Sequence, residues 1–251
     1  MSTSDRPSER RGHARTAVVW EALRPLLETA TPLNVVDIGG GTGGFAVGVA
    51  ELGHRVTVVD PSPDALAALA RRAREREVEV AGHQGDLSSL LDVVGADSSD
   101  LVLCHGVLEI VSDPVAALAT IATVLRPAGT VSLLVAQRSA AVLARAMAGH
   151  FGQALALLDD TTAVGRAGRR FAAQEAVDAL VAAGFVVDAV RGVRVFADLV
   201  PGSLLDAEPG ATSALVELEQ AVASRPDYLP LATQLHLLAT LGRAQGSAGR
   251  K

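Results

Sequence analysis

Two carboxylates bracket a glycine cluster: Asp37 precedes Gly39-Gly40-Gly41, and Asp60 ends the next apolar run, Val56-Thr57-Val58-Val59. Glycines let backbone pass close to a ligand where any Cβ would clash. A carboxylate at the following strand tip is placed to accept hydrogen bonds from a ribose diol. The chemistry these residues offer is therefore the binding of a nucleoside cofactor. Gly39, Gly41 and Gly44 fit the Gly-x-Gly-x-x-Gly of dinucleotide folds, so spacing by itself leaves NAD open. Asp37 points the other way, because a carboxylate just before the turn repels a pyrophosphate and suits a cationic ligand.

The elements that must hold these groups read as alternating strands and helices. Val35 to Ile38 is a first strand, Phe45–Leu52 a helix, and Val56–Asp60 a second strand. Ala65–Ala73 is an alanine-rich helix, Val78–His83 a third strand, and Gly85-Asp86 follows it. Asp100–His105 is a fourth strand, and Val115–Leu125 a helix stopped by Arg126-Pro127-Ala128-Gly129. Thr130–Ala136 is the fifth strand. Beyond it, 139–158, 173–183 and 211–224 are helical in pattern, while Phe185–Val190, Val193–Leu199 and Gln234–Leu241 read as strands. Ahead of the sheet, Ala14–Leu27 is an amphipathic helix containing Trp20. Residues 1–12 are polar and expected to be a disordered arm; 13–251 is expected to be one domain, with a cofactor half over 33–136 and an acceptor half over 137–251.

The run Val35-Val36-Asp37-Ile38-Gly39-Gly40-Gly41-Thr42-Gly43 resembles motif I of S-adenosylmethionine (SAM)-dependent methyltransferases. The segment Leu125-Arg126-Pro127-Ala128-Gly129 resembles a turn common in that superfamily. Together with Cys104-His105-Gly106-Val107-Leu108-Glu109, Gly192–Asp198, Ala214–Glu219, Arg225-Pro226, Leu235-His236 and Arg15–Trp20, the chain is similar to the SmtA-like bacterial enzymes that esterify 5-carboxymethoxyuridine in the tRNA anticodon. The likeness runs from about Gly12 to Ala239. It implies a class I methyltransferase fold, α/β and Rossmann-like, with seven mostly parallel strands and helices on both faces. It also implies SAM as cofactor, with Asp37 near the methionine end, Gly39, Gly40 and Gly41 as the close backbone, and Asp60 on the ribose. Gly85 and Asp86 would flank the adenine, Arg15 would pair with the methionine carboxylate, and His105 would face the methionine chain.

Methyl transfer from SAM gains mainly from positioning and desolvation. A carboxylate acceptor is ionised at neutral pH and needs no base, so no residue is assigned as a catalytic acid or base. For an amine or phenol, Glu109 and His105 are the nearest candidates. Arg194 is the candidate to orient an acidic acceptor. Arg166, Arg169 and Arg170, and the basic arm around Arg10 and Arg11, are available to phosphate or to an acidic substrate. Aromatic residues suited to stacking a base are scarce, 3% of the chain. The acceptor thus stays open between tRNA and a small carboxylate. A non-catalytic SAM-binding module and an NAD-dependent oxidoreductase are the competing readings.

Composition limits the rest. The chain of 251 residues is 49% hydrophobic with net charge −6, enough apolar material for a large core and weak ground for coating nucleic acid. No run of about 18 apolar residues occurs, so no membrane helix is expected, and the polar start is unlike a secretory signal. The expected location is the cytoplasm. Cys104, the single cysteine, allows no internal disulfide and no metal cluster. Oligomeric state is not legible.

Overall fold

The computed structural model describes residues 7–158 and 168–242. The segment before the sheet is one helix, α1 (Pro7–Leu27). It begins inside the stretch 1–12 that composition marks as disordered. Val18, Val19, Ala22, Leu23 and Leu27 form its buried stripe, and docking that stripe is what sustains a helix with such polar first turns.

Strands and helices then alternate as β1 (Asn34–Ile38), α2 (Ala46–Glu51), β2 (Arg55–Asp60), α3 (Pro63–Glu75), β3 (Val80–Gln84), α4 (Leu90–Val94), β4 (Ser99–His105), α5 (Pro114–Val124) and β5 (Leu125–Ala136). The second half follows as α6 (Arg138–Met147), α7 (Phe151–Leu158), α8 (Ala173–Ala182), β6 (Phe185–Val193), α9 (Gly202–Ala207), α10 (Ala211–Val222) and β7 (Gln234–Leu241). The seven strands form one sheet in the order β3-β2-β1-β4-β5-β7-β6. The β1–β2, β1–β4, β2–β3 and β4–β5 pairs are parallel, and β7 runs antiparallel to both β5 and β6.

Both faces of the sheet are covered, and residue alternation shows how. Val36, Ile38, Val102, Cys104, Val131, Leu133 and Leu235 share one core with α5 and α8. Val35, Val56, Val58, Leu101, Leu103 and Leu238 share the other with α1, α2 and α3. Successive side chains point to opposite faces with period two, so each central strand is apolar on both. The expected seven-stranded, mostly parallel architecture is the one observed.

Several boundaries differ from expectation. The 139–158 helix is two helices, broken at Gly149, whose φ is +76°. The predicted strand over Val193–Leu199 ends at Val193, and Arg194 turns the chain with φ +62°. The Arg126–Gly129 stop lies in the first turn of β5, where the pairing with β4 shifts register between Ser99 and Leu101. In the parallel part of the sheet the topology reverses at β1, whose neighbours β2 and β4 are reached by crossovers in opposite directions. In open α/β sheets ligands bind beyond the strand ends at such a point.

Candidate active site

The glycine turn lies there. Gly39 N–H donates to Val59 O (2.8 Å), and Gly43 N–H donates back to Gly40 O (2.9 Å). Gly39, Gly41 and Gly43 have φ of +70°, +54° and +79°, the left-handed region that L side chains rarely adopt. A Cβ on Gly40 would stand 2.5 Å from Asp37 Oδ2, and one on Gly39 equally close to Val107 Cγ2. Gly44 has open space around it. The third glycine of the turn is therefore Gly43, packed on Leu69 and Val47, and the spacing is Gly-x-Gly-x-Gly rather than the dinucleotide pattern.

Asp60 braces this turn. Its Oδ2 accepts from Gly41 N–H (2.9 Å) and its Oδ1 from Ser62 N–H (2.8 Å). A carboxylate has about four acceptor positions, so roughly two remain for a diol. Asp37 is buried at 3% exposure, and no ion pair to it occurs among the described residues. Burial, and then the Asp60 charge, raise its pKa to about 7. Two carboxylates facing one glycine turn with no protein cation between them suit a ligand that carries positive charge. That donor set fits a sulfonium and ammonium cofactor and does not fit a pyrophosphate. Gly85 joins the same lip, donating its N–H to Asp60 O (3.2 Å). Asp86 is exposed, and Ser88 holds its carboxyl below the usual range through side-chain and backbone hydrogen bonds.

His105 stands at the tip of β4, one position beyond the pairing of Cys104 with Ile38. Its ring meets Phe45 edge-on at 4.8 Å, and Phe45 stacks on Trp20 at 5.1 Å, so α1, the residue opening α2 and β4 are joined through aromatic faces. His105 Nε2 is 2.8 Å from Ser132 Oγ, which is 2.8 Å from His236 Nε2. Burial pushes His105 down to about 4 and His236 well below its usual value, so both rings are neutral. Glu109 is also buried. Its Oε1 accepts from Ala136 N–H (2.7 Å), its backbone O accepts from Arg169 N–H (2.7 Å), and burial raises its pKa. It ties the β4 exit to β5 and to the returning chain.

A cavity of about 450 Å³ is walled by α6, the turn after β6 and residues 231–233. Arg145, His150 and Arg170 line it beside small apolar groups such as Ala140 and Ala144. Arg169, half-buried, turns instead toward Ser112 O (3.4 Å). Arg166 lies outside the described residues. Arg194 is committed elsewhere: its guanidinium pairs with Asp198 (2.5 Å) and donates to Gln234 Oε1 (3.3 Å). Asp198 also lines the cavity, and its other oxygen pairs with Arg15 (3.3 Å), whose side chain is 54% exposed.

The fold therefore brings Asp37, Gly39, Gly40, Gly41, Asp60, Gly85 and His105 to one edge, and joins Arg15 to Arg194 through Asp198. Phe45, Ser132 and the cavity residues Arg145 and His150 escape a motif reading, each in a different element with no spacing to mark it. Asp198 and His236 lie in segments that carry the resemblance, but no role attaches to them there. Among the described residues no group of His, Cys, Asp and Glu could hold a metal ion, and no helix is long and apolar enough to cross a membrane.

Known proteins match at the same place. Residues 36–133, spanning the turn, Asp60 and β4, match the family model described as a methyltransferase domain. The fold is also that of a solved S-adenosylmethionine-dependent methyltransferase from Mesorhizobium loti, with TM-score 0.58 and 21% identity over 90% of this chain and 99% of that one. Residues 36–133 are thus a methyltransferase domain, the chain is a SAM-dependent methyltransferase, and SAM is its cofactor. Within that class, it is 29% identical over 242 residues to the tRNA 5-carboxymethoxyuridine methyltransferase of Escherichia coli K12, covering 91% of this chain and 88% of that protein. It is 35% identical over 141 residues to a ubiquinone biosynthesis O-methyltransferase of Xanthomonas axonopodis pv. citri, covering 55% and 56% respectively.

Proposed function

We propose that this methyltransferase esterifies a carboxylate, and that the carboxylate belongs to 5-carboxymethoxyuridine in tRNA. The observation that carries the reading is the cavity lined by Arg145, His150 and Arg170, together with Asp198, which pairs with Arg15. Guanidinium groups in a partly dry site recognise a planar anion. The whole-length likeness to the Escherichia coli enzyme supports the same acceptor.

When bound, SAM supplies a methyl group on a sulfonium, already activated toward a nucleophile. The chain's own residues have the work of holding and orienting. Asp60 would hold the ribose diol, and the backbone of Gly39, Gly40 and Gly41 would lie against the cofactor. Asp37, ionised by a neighbouring cation, would face the methionine end, with Arg15 on the methionine carboxylate, His105 beside it, and Gly85 and Asp86 at the adenine. Arg170 and Arg145 hold the acceptor carboxylate. No proton has to be removed from an ionised acceptor. This agrees with Glu109 Oε1 being occupied by Ala136 N–H and with His105 being a poor base. Such a reaction draws on the cytoplasmic pools of SAM and tRNA.

One observation favours a smaller acceptor. Met147, Phe151 and Leu155 are about 70% exposed along α6 and α7, an apolar rim suited to a hydrophobic acid rather than to an anticodon. The two separate in one experiment. The protein is incubated with deuteromethyl-SAM, tRNA carrying unesterified 5-carboxymethoxyuridine and a small-molecule extract, and each fraction is analysed by mass spectrometry. A labelled, base-labile ester in the uridine nucleoside is expected. Label confined to small acids would overturn the tRNA acceptor, and label on no carboxylate would overturn the reading entirely.

A further inference from the structure

The turn that follows β6 is held by an unusual support. Glu219, on α10, is completely buried, yet among the described residues no Lys, Arg or His pairs with it. Its oxygens are occupied by three consecutive backbone N–H groups: Val195 on Oε2 (2.9 Å), and Phe196 (2.8 Å) and Ala197 (2.7 Å) on Oε1. A carboxylate stripped of water is tolerated when charge-assisted hydrogen bonds replace its hydration. Here they come from a concave run of amides of the kind that binds anions.

That run is the link between Arg194 and Asp198. Arg194 adopts φ +62°, sparsely populated for a residue with a Cβ. Its carbonyl is held by Thr233 Oγ1 (3.0 Å) and Thr233 N–H (3.3 Å). Strained backbone of this kind persists where surroundings over-determine it, and it concentrates at sites that need a fixed geometry. The product of the turn is Asp198, with one oxygen on Arg194 and the other on Arg15. Arg15 lies on α1, five positions before Trp20, which stacks on Phe45 beside the glycine turn.

We propose that Glu219 is a positioning residue for cofactor binding: by filling the amides of 195–197 it fixes Asp198, which holds the Arg15 guanidinium in place for the cofactor's carboxylate. The inference rests on Arg15 as the partner of that carboxylate. Asp198 takes one edge of the guanidinium and leaves the remaining N–H donors for the ligand. An element of the acceptor half, more than 150 residues from the glycine turn in sequence, thereby tunes the cofactor half.

The test uses the full chain and SAM alone, so it is independent of the acceptor. Isothermal titration of SAM is run on wild type, Arg15→Ala, Asp198→Asn, Glu219→Gln and the Asp198→Asn/Glu219→Gln double variant. Amide exchange at 195–197 and thermal unfolding are followed in parallel. In Glu219→Gln an amide nitrogen replaces one acceptor, so one N–H loses its partner and protection in 195–197 falls. SAM affinity is expected to fall about five- to tenfold in Asp198→Asn and in Glu219→Gln, and no further in the double variant. A purely structural Glu219 would instead lower the melting temperature and leave the affinity of the folded protein unchanged, which overturns the proposal. So does additivity in the double variant. If Glu219→Gln does not fold, wild-type or tighter binding by Asp198→Asn overturns it alone. If Arg15→Ala binds SAM normally, the Arg15 reading falls and the proposal with it, whereas weakened Arg15→Ala beside unchanged Glu219→Gln overturns the proposal only.

Discussion

The cofactor side of the cleft is made of backbone and carboxylates, the acceptor side of guanidinium groups and small apolar side chains. Asp37, Asp60 and the turn between them come from one strand–turn–helix–strand unit. Arg145, Arg170 and Asp198 come from α6, from the chain entering α8 and from the turn after β6. Opposite charges on the two sides match the proposed reaction between a cationic donor and an anionic acceptor. They also separate the two binding steps, except through Asp198, which lines the cavity and pairs with Arg15.

The sharpest way to break that separation is Asp37→Asn. The carboxyl has an ordinary value of 3.8 and is raised to about 7 by burial and Asp60. A raised acid stabilises the fold most when protonated. Its contribution is full below about pH 4, declines by up to about 1.4 kcal/mol per pH unit toward pH 7, and changes no further above that. The asparagine variant should lack this decline, making the cofactor-free protein more stable by a few kcal/mol at pH 8 while weakening SAM binding. Denaturant titrations at pH 5 and pH 8 check it. An identical pH slope in both proteins would mean Asp37 is not the buried acid described.

Asp60→Ala comes next, removing charge-assisted hydrogen bonds worth roughly 1.5–3 kcal/mol. SAM affinity should drop about ten- to a hundredfold, with acceptor KM unchanged at saturating SAM. Unchanged SAM affinity would move the ribose away from β2. On the opposite side, Arg170→Ala should raise acceptor KM about tenfold, close to 1.4 kcal/mol, and leave the SAM dissociation constant alone. A shift in SAM affinity of that size would merge the two sides that the geometry keeps apart.

The same contrast explains how much was legible. The glycine turn and its carboxylates are local: Gly39, Gly41 and Gly43 sit where the chain needs left-handed φ, so residue type reports backbone shape directly. Even there spacing alone leaves Gly43 and Gly44 both open as the third glycine, because nothing in it says which Cβ would strike Leu69. Val193–Leu199 looks like a strand, with its valines and phenylalanine, and the chain leaves the sheet at Arg194. Glu219, more than twenty residues on, takes the amides that a strand partner would have taken. Tertiary partners override β propensity, and a one-residue-at-a-time reading has no access to them. Arg194 shows the consequence: a free cation in the sequence, it is already neutralised by Asp198 in the fold.

The smallest predicted effect lies away from the cleft, in the turn at the start of β5. Ala128 is exposed and has φ +65°, a conformation that favours glycine. The left-handed conformation costs an L residue roughly 1–2 kcal/mol, while glycine adds back about 0.5–1 kcal/mol of unfolded-state entropy. Ala128→Gly should therefore stabilise by about 0.5–1 kcal/mol, raising the melting temperature by roughly 1–3 °C in a chain of this size. The turn lies at the opposite end of β5 from the cleft, so SAM affinity and transfer rate should not move. A lower melting temperature would show that Ala128 is held without strain. A change in SAM affinity would show that the two ends of β5 are coupled.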